Sequence, residues 1–173
     1  MTEAVLYIFS GLPASGKSTL AKELARHIGV TYLRIDTLEQ GLRDICGMRD
    51  IEGEGYMLSH LLAKDNLMAG NSVIADSVNP WELTRKGWND VAISSGAKYV
   101  NIEVSCSDSA EHRYRLENRD VGIKNLKMPT WEQVKNRDYH PWTMPRICID
   151  TAGRTVVESL EELISKLDIG KKQ

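Results

Sequence analysis

The 173-residue sequence predicts an α/β fold: a parallel sheet of about five strands with helices on both faces. Three observations predict it. Short apolar runs rich in β-formers alternate with segments whose apolar residues recur at helical spacing. The first such run, Ala4 to Phe9, leads through a glycine-rich loop straight into the first helical segment. Alternation of this kind also implies right-handed crossovers and a sheet buried on both faces, with ligands at the carboxyl ends of the strands.

In order along the chain, residues 4–10 form a strand closed by Gly11 and Pro13. A helix beginning near Lys17 carries Leu20, Leu24 and Ile28 with Ala21 and Ala25, and stops at Gly29, the usual residue just past a helix end. Thr31 to Ile35 reads as a second strand ending at Asp36, and Gly55 to Ala69 as a helix stopped by Gly70. Ser72 to Ala75 is a strand ending at Asp76, Trp81 to Ser95 a helix, and Lys98 to Cys106 a strand. Ser109 to Arg119 is a charged helix capped by Ser107 or Asp108. Ile147 to Ile149 is the last strand, and Val156 to Leu167 an amphipathic helix with Val157, Leu160, Leu163, Ile164 and Leu167 on one face. The strand ends therefore present Gly11, Asp36, Asp76, Cys106 and Asp150. Asp120 to Met144 is the least regular stretch and is expected to be a mobile lid.

Composition narrows the function. The chain has 22 Lys and Arg against 24 Asp and Glu, a net charge of −2, and lacks the basic excess of a nucleic-acid coat. With one Phe and four dispersed Trp, no basic-aromatic strand-binding surface is expected. No run approaches the roughly 20 apolar residues of a membrane span. Met1-Thr2-Glu3 lacks a signal-peptide n-region, so a cytoplasmic protein is expected. Cys46, Cys106 and Cys148 have no CxxC spacing and read as reduced structural thiols. His27, His60, His112 and His140 are scattered and are assigned no catalytic part. A chain of this length can bury roughly 70% of its unfolded surface, which fits a single domain over 1–173.

Gly11 to Ser18 reads GLPASGKS, a full match to the GxxxxGKS phosphate loop, set between a strand and a helix as its mechanism requires. Gly11, Ala14, Ser15 and Gly16 would turn backbone N–H groups toward phosphate oxygens at the positive end of the helix. Lys17 would neutralise the β and γ phosphates, its charge lying in solvent when nucleotide is absent. Ser18 is the expected magnesium ligand and Thr19 lies near the α phosphate. ATP and Mg2+ are thus the expected cofactors. No NKxD-like segment is present, which argues against a guanine-specific GTPase, and the chain is too short for a motor ATPase.

With GLPASGKST, Asp36, GNSVIADSVN at 70–79, RLENR at 115–119 and IDT at 149–151, the chain resembles the P-loop small-molecule kinases. That family includes gluconate kinases, adenylyl-sulfate kinases, zeta toxins and AAA-type predicted kinases. The resemblance implies a three-layer P-loop NTPase fold of the nucleoside-monophosphate-kinase-like kind. It implies that Asp36 approaches the acceptor hydroxyl and can take its proton; a helix N-cap is the alternative role. Asp76 matches the second acidic position, which holds magnesium through water, against the alternative of a turn aspartate. Arg115 and Arg119, on one helix face, match the lid arginines that neutralise transition-state charge, or else form salt bridges along a charged helix. Arg85 and Arg43 are candidate substrate contacts, and Thr151, Ala152 and Gly153 candidate adenine contacts, chiefly through backbone atoms. Where the family commonly carries an arginine three residues after the aspartate, this chain has Glu39.

The expected activity is transfer of the γ phosphate of MgATP to a hydroxyl of a small molecule, with an acceptor-side helical segment at about 37–70 and a lid at about 119–137. An adenylyl-sulfate or nucleotide kinase is the first alternative. An ATP-binding regulatory module with little turnover is the second. The partner expected is a small-molecule phosphoryl acceptor, with no nucleic acid and no membrane, on a monomer or homodimer.

Overall fold

The computed structural model describes residues 3–169; Met1 and Thr2, used above in reading the N-terminus, lie outside them. Strand β1 (Val5–Ser10) leads through the phosphate loop into α1 (Lys17–Ile28). Then follow β2 (Thr31–Arg34), α2 (Ile35–Cys46), α3 (Glu54–Met68), β3 (Val73–Asp76), α4 (Glu82–Ser94), β4 (Lys98–Ser105), α5 (Ser109–Asn118), α6 (Trp131–Lys135), β5 (Ile147–Asp150) and α7 (Val156–Lys166). The five strands pair in the order β2-β3-β1-β4-β5, all parallel.

Side-chain alternation along β1 sorts the core into two layers. Leu6 and Ile8 face α3 and α4 with Val73, Ala75, Ala63, Leu67, Trp88 and Ala92. Phe9 faces α1 and α7 with Ile74, Ile102, Ile149, Leu20, Leu24 and Leu163. Each fully buried Leu or Ile contributes about 1.5–3 kcal/mol, and these two layers hold the sheet rigid beneath the strand ends. A third, smaller cluster joins Ala14 of the loop to Leu116 of α5 and Val134 of α6, with Leu12, Met128 and Trp131 against it.

Three readings of the sequence are corrected. The second strand stops at Arg34, and a twelve-residue helix, α2, begins at Ile35. Asp36 is therefore inside a first helical turn and is neither a strand end nor an N-cap. The fourth strand stops at Ser105, one residue short of Cys106. Asp120 to Met144 is not uniformly loose, because α6 buries Val134 and residues 139–142 are tied to α4 as described below. The cap on α5 is Asp108, whose Oδ1 accepts from Ala110 N at 2.8 Å and Glu111 N at 3.0 Å. The three cysteines are free thiols. Among the described residues no helix is long and apolar enough to cross a membrane, and no cluster of His, Cys, Asp and Glu has metal-holding geometry.

Candidate active site

The loop from Gly11 to Ser18 is shaped by positions where a side chain would not fit. Gly11 lies at φ +149°, and a Cβ there would stand 2.2 Å from the Val104 carbonyl oxygen. Gly16 lies at φ +92° against Thr151, and Ala14 takes a positive φ of 65°, a strained choice for a non-glycine residue. The loop is propped from outside. The Thr151 hydroxyl donates to Ser15 O at 2.8 Å. His112 Nε2 stands 2.7 Å from Pro13 O, and since a carbonyl only accepts, that nitrogen carries the proton. No side chain caps α1 at Gly16, so its first N–H groups have no side-chain acceptor to compete with an anion.

Lys17 is the first surprise of the site. It is 7% exposed, with Nζ 2.5 Å from Asp76 Oδ1 and 3.3 Å from Ser18 Oγ. The expectation of a lysine with its charge in solvent is thus corrected. The cause is Asp76, whose side chain is fully buried at the end of β3 and needs a cation. Tyr32 donates to the other oxygen, Oδ2, at 2.6 Å. Burial pushes the Asp76 carboxyl up, but Lys17 and these hydrogen bonds more than offset it and hold it below the ordinary carboxylate range. Burial beside Asp76 also pushes the Tyr32 phenol well above its usual value, so it remains a donor.

A cleft of about 830 Å³ opens beside this pair, lined by Lys17, Ser18, Asp36, Arg119 and the cleft-facing residues of α2, including Glu39 and Arg43. Asp36 Oδ2 lies 3.6 Å from Arg34 Nη2. Arg34 was not anticipated as a site residue. Sheet register sets it opposite Asp76, where its Nε is 3.9 Å from Asp76 Oδ2. Its Nη1 donates to the Val121 carbonyl of the expected lid at 3.0 Å. The available signal was its place two residues before Asp36 at a strand end. Arg119 joins the same group: burial and then Arg34 push its guanidinium pKa down, while Asp36 and Asp76 draw it up. Lys17, Arg34 and Arg119 against Asp36 and Asp76 leave one positive charge in excess, the balance an incoming phosphate can use. Arg34 Nε and Arg119 Nε are buried without a hydrogen-bond partner.

A second cavity of about 300 Å³ lies on the other side of the loop, between Gly16, Thr19, Arg115, Thr151, Arg154 and Val156. Here Arg115 takes the alternative expected of it, an ion pair along its helix, together with contacts to Thr151. It donates from Nη1 to Thr151 Oγ1 at 2.7 Å and from Nη2 to Thr151 O at 2.9 Å, and pairs with Glu111 at 2.5 Å. It anchors the loop after β5. Thr151 lines this cavity but Ala152 and Gly153 do not. Their N–H groups are engaged by Asp150 Oδ1 and Glu111 Oε2, which leaves their carbonyl oxygens as the backbone atoms open to a base.

Arg85 is also corrected. It is 1% exposed and lies outside both cavities. It donates to the carbonyls of Asn79, Pro80, His140 and Pro141 at 2.9–3.2 Å and sits over the rings of Tyr139 and Trp142, 4.9 and 4.1 Å from their centroids. Its role is to fasten residues 139–142 to α4. Arg43 does reach the cleft, paired with Glu39 at 3.7 Å.

The sequence profile of the AAA domain matches residues 6–137. The chain belongs to the AAA domain family. No curated protein matches it by sequence. Among solved structures, a candidate kinase from Chloroflexus aurantiacus is 20% identical at TM-score 0.74, covering 99% of this chain and 100% of that one. The APS kinase of Mycobacterium tuberculosis, in complex with AMPPNP and APS, is 16% identical at TM-score 0.70, covering 96% and 98%. Kti12 from Chaetomium thermophilum, in complex with ADP-AlF3, is 18% identical at TM-score 0.70, covering 97% and 100%. At these identities the likeness is one of fold, and this AAA domain chain has the three-layer fold of the P-loop kinases.

Proposed function

We propose that this protein is an ATP-dependent phosphotransferase that moves the γ phosphate of MgATP to a hydroxyl of a small molecule. One observation carries the reading: Asp36, Lys17, Ser18 and Arg119 line a single cleft, so a proton acceptor, a phosphate cradle and a charge-neutralising cation converge on one space. Asp36 orients the acceptor hydroxyl and takes its proton as the oxygen attacks phosphorus. Lys17 leaves Asp76 for the phosphates, and Arg119 neutralises charge on the transferring group. Arg34 holds Asp36 and the Val121 carbonyl in register.

The residues present fit a nucleotide. The uncapped start of α1, the close Gly16 cradle and the buried Ser15 hydroxyl without a hydrogen-bond partner suit a phosphate chain, and the Arg115–Thr151 cavity suits the base. Ser18 and Asp76 would hold magnesium, which when bound supplies further neutralisation of phosphate charge. The solved neighbours that carry AMPPNP and ADP-AlF3 support a nucleotide on this fold.

Transfer of label from γ-labelled ATP to a panel of hydroxylated acceptors, with water as the control acceptor, tests the reading. Transfer to at least one acceptor well above hydrolysis is expected. Tight ATP binding with no transfer to any acceptor would instead favour a regulatory nucleotide-binding module.

A further inference from the structure

The large cleft carries two hydroxyls that the chemistry above does not use. Tyr56, in the first turn of α3, and Ser77, the residue after Asp76, both line the space that holds Lys17, Asp36 and Arg119. The Tyr56 oxygen accepts from the Asn79 backbone N–H at 3.2 Å, a contact that leaves the phenolic proton unspent. Burial pushes this phenol up to about 12, although the Asn79 N–H and the neighbouring Ser77 hydroxyl act against the rise. Tyr56 therefore keeps its proton and stays a donor. Ser77 is 4% exposed, and its Oγ is buried without a hydrogen-bond partner among the described residues. A buried hydroxyl in that condition is unfavourable, and on a cleft wall it is satisfied when a ligand oxygen reaches it.

The loop that carries Ser77 is fixed on several sides. Ser77 N donates to Phe9 O at 3.3 Å, and Gly11 N of the phosphate loop donates to Val78 O at 3.1 Å. Asn79 is fully buried at φ +47°, and its Nδ2 donates to Phe9 O at 3.2 Å and Ser10 Oγ at 2.9 Å. Arg85 Nε donates to the Asn79 carbonyl at 2.9 Å. The two hydroxyls are thus held in place before any ligand arrives, so little ordering is lost on binding. Glu39 links them to the proposed base. A Cβ on Gly55 would stand 2.4 Å from Glu39 Cγ, which sets this side chain against the start of α3. Its charge acts on Tyr56, and the charge of Asp36 acts on it, so Tyr56 and Asp36 share one neighbourhood of the cleft. Arg43, Lys127 and Arg137 share the lining with Glu39 and Glu52, so both signs of charge are available to the rest of an acceptor. The two hydroxyls are neutral, and they sort acceptors by oxygen and not by charge.

We propose that Tyr56 and Ser77 form an acceptor subsite, each donating to a second, non-reacting oxygen of the molecule whose first hydroxyl lies on Asp36. The acceptor is then a diol or polyol and not a simple alcohol. The inference rests on the phosphotransferase reading above and deepens it.

The test uses pairs that share a carbon skeleton: glycerol and 1-propanol, myo-inositol and cyclohexanol, ribose and 2-deoxyribose. Binding is measured by calorimetry with a non-hydrolysable ATP analogue present, and turnover is measured in parallel. In at least one pair the member richer in hydroxyls should bind about tenfold or more tightly. Ser77→Ala removes a hydroxyl that no described protein group uses. It should shrink that ratio about tenfold, with ATP affinity within about twofold and the urea midpoint no lower than in the wild type. Tyr56→Phe should shrink the ratio to a similar extent but also lower the midpoint, because the Asn79 N–H loses its acceptor. An unchanged ratio in either variant, binding of neither member of any pair, or a loss of ATP affinity as large as the loss of acceptor affinity would overturn the subsite. Selective binding of the hydroxyl-rich members without transfer would refute the phosphotransferase reading and leave the subsite standing.

Discussion

At the scale of residues, the buried end of β3 ties the lysine of the phosphate loop to the stability of the fold. Asp76 is satisfied by Lys17 and Tyr32, so truncating Lys17 leaves a carboxylate in a dry site with only part of its compensation. Breaking a buried pair from one side costs about 3–5 kcal/mol, and the remaining Tyr32 contact sets the expectation near the lower figure. Lys17→Ala should therefore lower the urea midpoint as well as abolish transfer, and Lys17→Met with Asp76→Asn should recover much of the midpoint. An unchanged midpoint in Lys17→Ala would show that the two charges are not coupled. Arg34 gives a second expectation. Arg34→Gln loses the geometry that links Asp36, Asp76 and the Val121 carbonyl. Turnover should fall about 10- to 100-fold while ATP affinity stays within about twofold, because positioning is lost and binding is not. Equal losses in both quantities would place Arg34 in nucleotide binding instead.

At the scale of elements, the seam between α3 and α4 has its own pH signature. His60 packs edge-on against Trp88 with ring centroids 4.4 Å apart, and Nε2 is buried without a hydrogen-bond partner. Burial pushes its pKa below the ordinary 6.5. The unfolded chain then takes up a proton that the folded chain refuses, so stability declines as pH falls from about 6.5 toward the lowered folded value. His60→Phe should flatten that part of the pH–stability curve in chemical denaturation, and an identical slope in the variant would refute the assignment. The expected lid divides in a similar way. Residues 120–128 are irregular, whereas Val134 of α6 is buried against Leu116 and Ala14. Hydrogen exchange should be fast over 120–128 and slower over 131–135, and bound nucleotide with acceptor should slow the first segment. Uniform exchange across both would contradict the division.

The strands and the long helices are legible in the sequence because their apolar periods are strong. The start of α2 is not, since only Ile35 and Gln40 of its twelve residues are buried and the run TYLRI continues a strand pattern into it, so the helix that the sequence places from about residue 37 begins at Ile35. Helix α6, five residues long, is shorter than periodicity can register. In the site, the phosphate loop is readable from local spacing, whereas Asp36 is singled out by the family resemblance. The role of Arg85 is not readable, because its partners His140 and Pro141 lie some 55 residues away. The same distance problem hides the burial of Lys17 against Asp76, which depends on β1 and β3 pairing side by side.

At the scale of the whole molecule, the strand order β2-β3-β1-β4-β5 does the assembling. It sets Asp76 beside the phosphate loop, carries Arg34 and Asp36 to the same rim, and places Thr151 on the far side of the loop. Two cavities then flank one phosphate cradle, with Ala14 and Arg119 common to both. In the proposed reading a donor nucleotide takes one side and an acceptor the other, meeting at Lys17. The central claim is that Asp36 serves the acceptor and not the nucleotide. Single-turnover transfer from γ-labelled ATP, compared between the wild type and Asp36→Asn, tests it most directly, with ATP affinity measured alongside. Transfer should fall by about 100-fold or more in the variant while ATP affinity stays within about twofold. Transfer at the wild-type rate, or a loss of ATP affinity as large as the loss of rate, would contradict the account.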